Sequence, residues 1–202
     1  MKKFWKITDL IRLSVAASLL IGLGNFVLLK IGEPLGPILF SFGLLGVCVL
    51  KLNLFTGKCG YLFEDKINIF SLITILIVNL VAGWAIGVLF GLADGSIVEG
   101  ASAKVASWSI SWEFFLKSVM CGVIMYLAVE LFRRGTKLGI LLGIPLFIFC
   151  GFQHSIANAI TMGVAMDFSW AVLLCAGGNF VGSIATWALC RSEIKKNNPC
   201  ES

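Results

Sequence analysis

Six long apolar stretches dominate this chain, at about residues 13–29, 37–63, 67–92, 114–132, 138–166 and 170–189. A helix needs about 20 largely apolar residues to cross a bilayer, and six of them use up most of a 202-residue chain. No room is left for a soluble domain. The balance of residues agrees: 58% are hydrophobic and only 13% charged, whereas soluble domains are about a quarter charged. A soluble enzyme is excluded on this ground, and the chain reads as one all-α integral membrane domain over residues 1–202.

Met1-Lys2-Lys3 followed by an apolar run with Ala16-Ala17-Ser18 has the look of a secretory leader. More membrane helix follows, however, so this run is read as the first span. Lysine and arginine collect on the cytoplasmic side of membrane proteins. Lys2, Lys3, Lys6 and Arg12 flank the first span, and Arg191, Lys195 and Lys196 follow the last. Six crossings put both termini on one side, which predicts cytoplasmic termini in a multi-pass protein of the cell (inner) membrane. Arg133, Arg134, Lys137 and Lys66 fall on that same side, and the connection 166–169 opposite them has no cation. These flanks account for the net charge of +5, so nucleic-acid binding is not indicated. The seven cysteines form no C-x-x-C pair and sit mostly in apolar sequence, which predicts buried inert thiols and neither a metal site nor a cofactor.

An internal repeat is legible. Asn79-Leu80-Val81-Ala82-Gly83 resembles Asn179-Phe180-Val181-Gly182-Ser183, 100 positions on, and the same offset carries Asn53–Lys58 onto Gln153–Asn158. Both of the latter runs interrupt apolar stretches. The chain therefore divides into two three-span halves, about 8–92 and 110–191, and an odd number of spans per half turns the second upside down. Polar side chains at these depths are costly against lipid. Irregular backbone there is tolerated only inside protein or beside a cavity. The second and fifth helices are thus expected to be broken, with a solute pathway between them.

His154 is the only histidine. An imidazole at mid-depth marks a pathway, donating one hydrogen bond while accepting another, and titrates near physiological pH when unperturbed. The run Gly151-Phe152-Gln153-His154-Ser155-Ile156-Ala157-Asn158 resembles the signature of the formate/nitrite transporter family. Leu54-Phe55-Thr56-Gly57 resembles that family's second-helix segment, Gly178-Asn179 its sixth-helix segment, and Lys104 its vestibule lysine. The resemblance implies an aquaporin-like fold of six transmembrane helices in two inverted repeats. It also implies a homopentamer in which each subunit has its own pore for small monovalent anions or their acids, such as formate, nitrite, hydrosulfide, lactate and acetate. On this basis Thr56 and His154 form the central polar pair, and Lys104 concentrates anions. Asn158 holds its loop, with Gln153 and Asn53 also on the pathway. Leu54, Phe55, Phe152 and Ile156 are candidate constrictions, and Asn79 and Asn179 support the pore.

This chain departs from the family pattern at three places. Gln153 stands where the family has an acid, Asn53 is likewise an amide, and Gly122 stands where the family has asparagine. These changes remove the partners the family gives Lys104 and predict a histidine harder to protonate. Lys51, in the second stretch, has no assigned role. A channel for small anions or weak acids is the first reading; a channel for a neutral or gaseous solute and a non-conducting scaffold or sensor stand beside it.

Overall fold

The computed structural model describes residues 7–197. Lys2, Lys3, Lys6 and Cys200 lie outside the described residues, as do the side chains of Lys195 and Lys196. Helices α1 (Ile7–Ile31) and α2 (Leu35–Val49) come first, followed by the short α3 (Phe55–Lys58), extended by a 3-10 turn at Cys59–Tyr61. Then come α4 (Ile69–Ala93), α5 (Val98–Ala106), α6 (Trp112–Arg133), α7 (Leu138–Phe149), α8 (Ser155–Ala165) and α9 (Ala171–Asn197). Among the described residues, four helices are long and apolar enough to cross a bilayer, namely α1, α4, α6 and the Ala171–Arg191 part of α9.

The distribution of polarity is inside out relative to a soluble protein. Phe42, Phe70, Leu92 and Leu189 are 69–82% exposed, while Ser14, Asn53, Asn79, Ser118 and Asn179 have no exposed surface. Only a bilayer or neighbouring apolar protein makes such an exterior favourable. Side-chain caps start the helices that follow polar connections. Asn68 accepts from the Phe70 amide at 2.9 Å to open α4, and Ser111 from the Phe114 amide at 3.2 Å to open α6.

Small residues let the helices approach closely. On α4, Gly83, Gly87 and Gly91 recur every fourth residue and face α8, where Gly87 lies against the Ile160 carbonyl and Gly163 against the Trp84 carbonyl. On α9, Gly182 meets the Val119 carbonyl of α6 in the same way. A methyl group at Gly87, Gly91, Gly163 or Gly182 would meet backbone that cannot swing aside. Where apolar burial gives helices no advantage over lipid, such backbone proximity is what holds them together. At one end of the bundle, Arg133 of α6 holds Asp65 at 3.0 and 3.2 Å, Tyr61 donates to Glu130 at 2.9 Å, and Trp187 of α9 donates to Glu64 at 2.8 Å. The segment that follows α3 is tied down there.

Helices α2 and α7 end alike. Leu52 donates to the Val47 carbonyl and Phe152 to the Phe147 carbonyl, each at 2.9 Å. Between them the chain turns through a left-handed residue, Lys51 at φ 53° in one and Gly151 at φ 66° in the other. This closure satisfies the last helical carbonyls, and it gives Lys51 a role: it is the residue past the end of α2 and is exposed.

Candidate functional site

Two buried asparagines set the geometry of the non-helical segments 50–54 and 150–154. Asn79 of α4 accepts from the Phe55 amide at 2.8 Å and donates to the carbonyls of Asn53 at 3.1 Å and Ser14 at 2.8 Å. Asn179 of α9 accepts from the Ser155 amide at 2.9 Å and donates to the carbonyls of Gln153 and Ser118, both at 2.8 Å. Each asparagine therefore supplies, from one amide group, the partners that the interrupted backbone lacks. Buried backbone groups without such partners are rare because they are costly.

The clamps bring Thr56 and His154 together. Thr56 Oγ1 and His154 Nε2 are 2.9 Å apart, and both residues are buried. His154 also caps α8, its Nδ1 accepting from the Ala157 amide at 3.1 Å. A ring nitrogen that accepts an N–H carries no proton itself, so the neutral imidazole bears its proton on Nε2. Nε2–H donates to Thr56 Oγ1, and the threonine hydroxyl keeps its own hydrogen for a further acceptor. The face of Phe147 lies 5.9 Å from the imidazole, ring centre to ring centre, and completes an apolar setting.

A cavity of about 60 Å³ opens beside His154. Lys104 of α5, Gln153, His154 and Asn158 all line it, with Phe40 and Phe147 as apolar walls. Asn158 donates to Gln153 Oε1 at 3.0 Å, and Gln153 donates to the Gly151 carbonyl at 3.0 Å. Desolvation holds the Lys104 ammonium below the ordinary lysine value, while the carboxylate of Glu33, between α1 and α2, opposes that shift. Among the candidate constrictions, Phe152 also lines this cavity. Leu54, Phe55 and Ile156 lie in the packed core, at most 4% exposed. Asn53 is buried as well and does not line the cavity.

Sequence reasoning missed several members of this site. Asn25 of α1 lines the cavity and donates to Thr161 at 3.1 Å; an asparagine within an apolar span was the available signal. Glu33, Phe40 and Phe147 join only through helix packing, which no spacing reveals. Gly122 proves to be a helix crossing, because a Cβ there would strike the Asn179 carbonyl, and Ser183 donates to the Gly122 carbonyl at 3.0 Å. An asparagine side chain has no space at that point. Of the thiols, Cys59, Cys121 and Cys175 are buried and Cys150 is exposed. Cys175 donates to the Gln153 carbonyl at 3.1 Å. No group of residues that could hold a metal ion occurs among the described residues.

Comparison with known proteins places this geometry in context. A family model described as Formate/nitrite transporter matches residues 1–192. Among solved structures, one described as an FNT family ion channel superposes with a TM-score of 0.74 at 22% identity, covering 94% of this chain and 91% of the other. Another, described as a pentameric formate channel with formate bound, gives a TM-score of 0.68 at 17% identity, covering 96% and 98%. At these identities the likeness is one of fold. No curated protein sequence matches the chain.

Proposed function

Since the chain belongs to the formate/nitrite transporter family, we propose that this multi-pass membrane protein passes small monovalent anions or their protonated acids, of the formate, nitrite, hydrosulfide and acetate class. The observation that carries the reading is the cavity in which a cation, Lys104, and a buried imidazole, His154, face the same small space. Lysine draws an anion in. A space of this size holds only a few water molecules, enough for a solute of a few heavy atoms and too little for one with a full hydration shell.

Beyond the cavity lie Thr56 and the apolar residues Leu54 and Phe55. An ionised carboxylate cannot cross such a stretch without a desolvation cost of several kcal/mol or more, whereas the neutral acid crosses at far lower cost. Desolvation itself favours proton uptake by the anion. The solute is therefore protonated before or during passage, and His154 with Thr56 supplies the hydrogen bonds at the crossing point. Gln153 and Asn158 shape the cavity floor, and Asn53 belongs to the pathway on the opposite side.

In this reading the chain makes six crossings in two inverted halves, about 8–92 and 110–191. The second crossing consists of α2 and α3 and the fifth of α7 and α8. The recurrence of the helix-end bonds and of the asparagine clamps 100 positions on supports this plan. The cation flanks support cytoplasmic termini in a cell membrane. The exposed apolar exterior and the likeness to a pentameric channel support a homopentamer.

The amide at Gln153 favours a second reading, passage of a neutral solute, because no carboxylate beside His154 helps it hold a proton. Proteoliposomes loaded with a pH-sensitive dye separate the two. Internal pH change on adding formate, nitrite, acetate or hydrosulfide, altered by His154→Ala, supports the anion or acid pathway. Swelling with neutral solutes and no pH signal supports the second reading, and silence in both assays refutes conduction.

A further inference from the structure

The two halves of the chain differ at one buried amide. Asn79 donates to the Ser14 carbonyl and Asn179 to the Ser118 carbonyl, so α1 and α6 correspond at an offset of 104 positions. That offset carries Asn25 of α1 onto Val129 of α6, a buried apolar residue. The repeated framework therefore does not call for an amide at this depth. Asn25 is 1% exposed, and a polar side chain inside a membrane-spanning helix is costly enough to mark a function.

The amide of Asn25 is held in one orientation. Thr161 of α8 commits its hydroxyl hydrogen to the Ala157 carbonyl at 3.0 Å. Thr161 Oγ1 can then only accept from Asn25, 3.1 Å away, so the group that faces it is the amide nitrogen. The other end, Asn25 Oδ1, is a buried acceptor without a hydrogen-bond partner. Native interiors contain few such groups, and each calls for an explanation. Asn25 lines the cavity and Thr161 does not, so the oxygen is the polar end that Asn25 brings to the cavity. The neighbouring amides leave it alone, because Asn158 turns its hydrogens to Gln153 and Cys175, and Gln153 donates to the Gly151 carbonyl.

We propose that Asn25 is a specificity-determining residue of the solute pathway, whose Oδ1 accepts a hydrogen bond from a solute that carries its own hydrogen, such as the O–H of a small carboxylic acid. Lys104 and Asn25 line the same 60 Å³ and read opposite ends of that solute. The ammonium donates to the carbonyl oxygen of the acid, and the amide oxygen accepts from its hydroxyl. An anion without a hydrogen presents only acceptors, and an acceptor set against Oδ1 leaves both unpaired. A hydrogen bond to the neutral form favours that form, and no proton passes to Asn25. The role rests on the anion or acid reading above and adds which protonation state the cavity retains. Since Val129 stands in the corresponding place of the second half, the selection is made once, in the Lys104 cavity.

Formate uptake into proteoliposomes holding the full chain, with nitrate as competitor, tests it. Nitrate matches formate in being small, planar and monovalent, but as the anion of a strong acid it takes up no proton in water. The quantity to read is the ratio of the nitrate inhibition constant to the formate KM. Asn25→Leu, close to asparagine in volume, removes the acceptor and is expected to lower the ratio about fivefold, the worth of one neutral hydrogen bond, chiefly by raising the formate KM. Thr161→Val acts from outside the cavity by releasing the amide to turn its nitrogen inward. It moves the ratio the same way and provides a second reading if Asn25→Leu does not assemble. A merely structural Asn25 weakens formate and nitrate together. A ratio within twofold of wild type in both variants therefore overturns the assignment while leaving the anion pathway intact, as does nitrate that inhibits none of the three proteins. Wild-type proteoliposomes that take up neither formate nor another weak acid overturn the reading on which it rests.

Discussion

His154 and Thr56 share one proton, and the Ala157 amide decides which of them owns it. Because Nδ1 of the imidazole accepts from Ala157 at 3.1 Å, the 2.9 Å contact between Nε2 and Oγ1 is a donation from histidine to threonine. The threonine hydroxyl keeps its own hydrogen, which in the proposed pathway is donated to the passing solute. Thr56→Ser keeps that chain of donors and is expected to hold flux within about twofold. Thr56→Val keeps the shape, leaves Nε2–H without an acceptor, and is expected to lower flux about tenfold or more, a cost of at least roughly 1.4 kcal/mol. Nitrogen NMR of labelled protein checks the premise directly, since a proton found on Nδ1 at neutral pH would sink it.

The cavity lysine gives an alkaline limit. Desolvation lowers the Lys104 pKa, so on raising pH its charge is lost earlier than that of a solvated lysine, while the Glu33 carboxylate delays the loss. Glu33→Gln therefore moves the decline of anion uptake to lower pH. Lys104→Arg removes the decline, because guanidinium stays charged throughout. The quantity to follow is the variant-to-wild-type ratio of formate uptake between about pH 7 and about pH 10, in which changes in the acid fraction cancel. A flat ratio for both variants contradicts the assignment of Lys104 to the anion path.

Asn79→Leu is expected to be severe. It removes the acceptor of the Phe55 amide and the donor to the Asn53 carbonyl, leaving both unpaired, while the Ser14 carbonyl keeps the Ser18 hydroxyl as its donor. At about 1–3 kcal/mol for each unpaired group, the loss is at least roughly 2 kcal/mol. Thermal unfolding in detergent, followed by size-exclusion chromatography, measures it. Asn179→Leu should behave alike, and a melting temperature close to wild type in either variant contradicts the clamp.

Lys51 offers the reverse case. It adopts φ 53° where the matching turn uses Gly151 at φ 66°, and a left-handed conformation costs a residue with a side chain roughly 1–2 kcal/mol. Glycine relieves that strain but loses more chain entropy, about 0.5–1 kcal/mol. Lys51→Gly is thus expected to be neutral or stabilising by up to about 1 kcal/mol, and Gly151→Ala destabilising by a similar amount. Comparing the two melting temperatures decides the matter; a large loss in Lys51→Gly would mean the side chain has a contact that outweighs its backbone strain.

Much of this was legible from sequence because solvent and repetition both leave marks. Lipid forces long apolar stretches, so polar residues inside them, Thr56, His154, Asn79 and Asn179, stand out without any alignment. The repeat then points to corresponding atoms: the residues matched at one offset are those whose backbones the two asparagines hold. What sequence could not give depends on how helices cross. Glu33, Phe40 and Phe147 reach the site from three different connections or helices, and none has a distinctive spacing. Gly122 was compared with a polar family position, yet its meaning is steric, set by the Asn179 backbone of a helix more than 50 residues away.

The second clamp also bears on how the chain is made. The loop that carries His154 takes hydrogen bonds from Asn179 of α9, more than 20 residues further along the chain. During synthesis the ribosome delivers that loop before its anchor, so the Gln153 carbonyl and the Ser155 amide gain this shared partner only once α9 has joined the bundle.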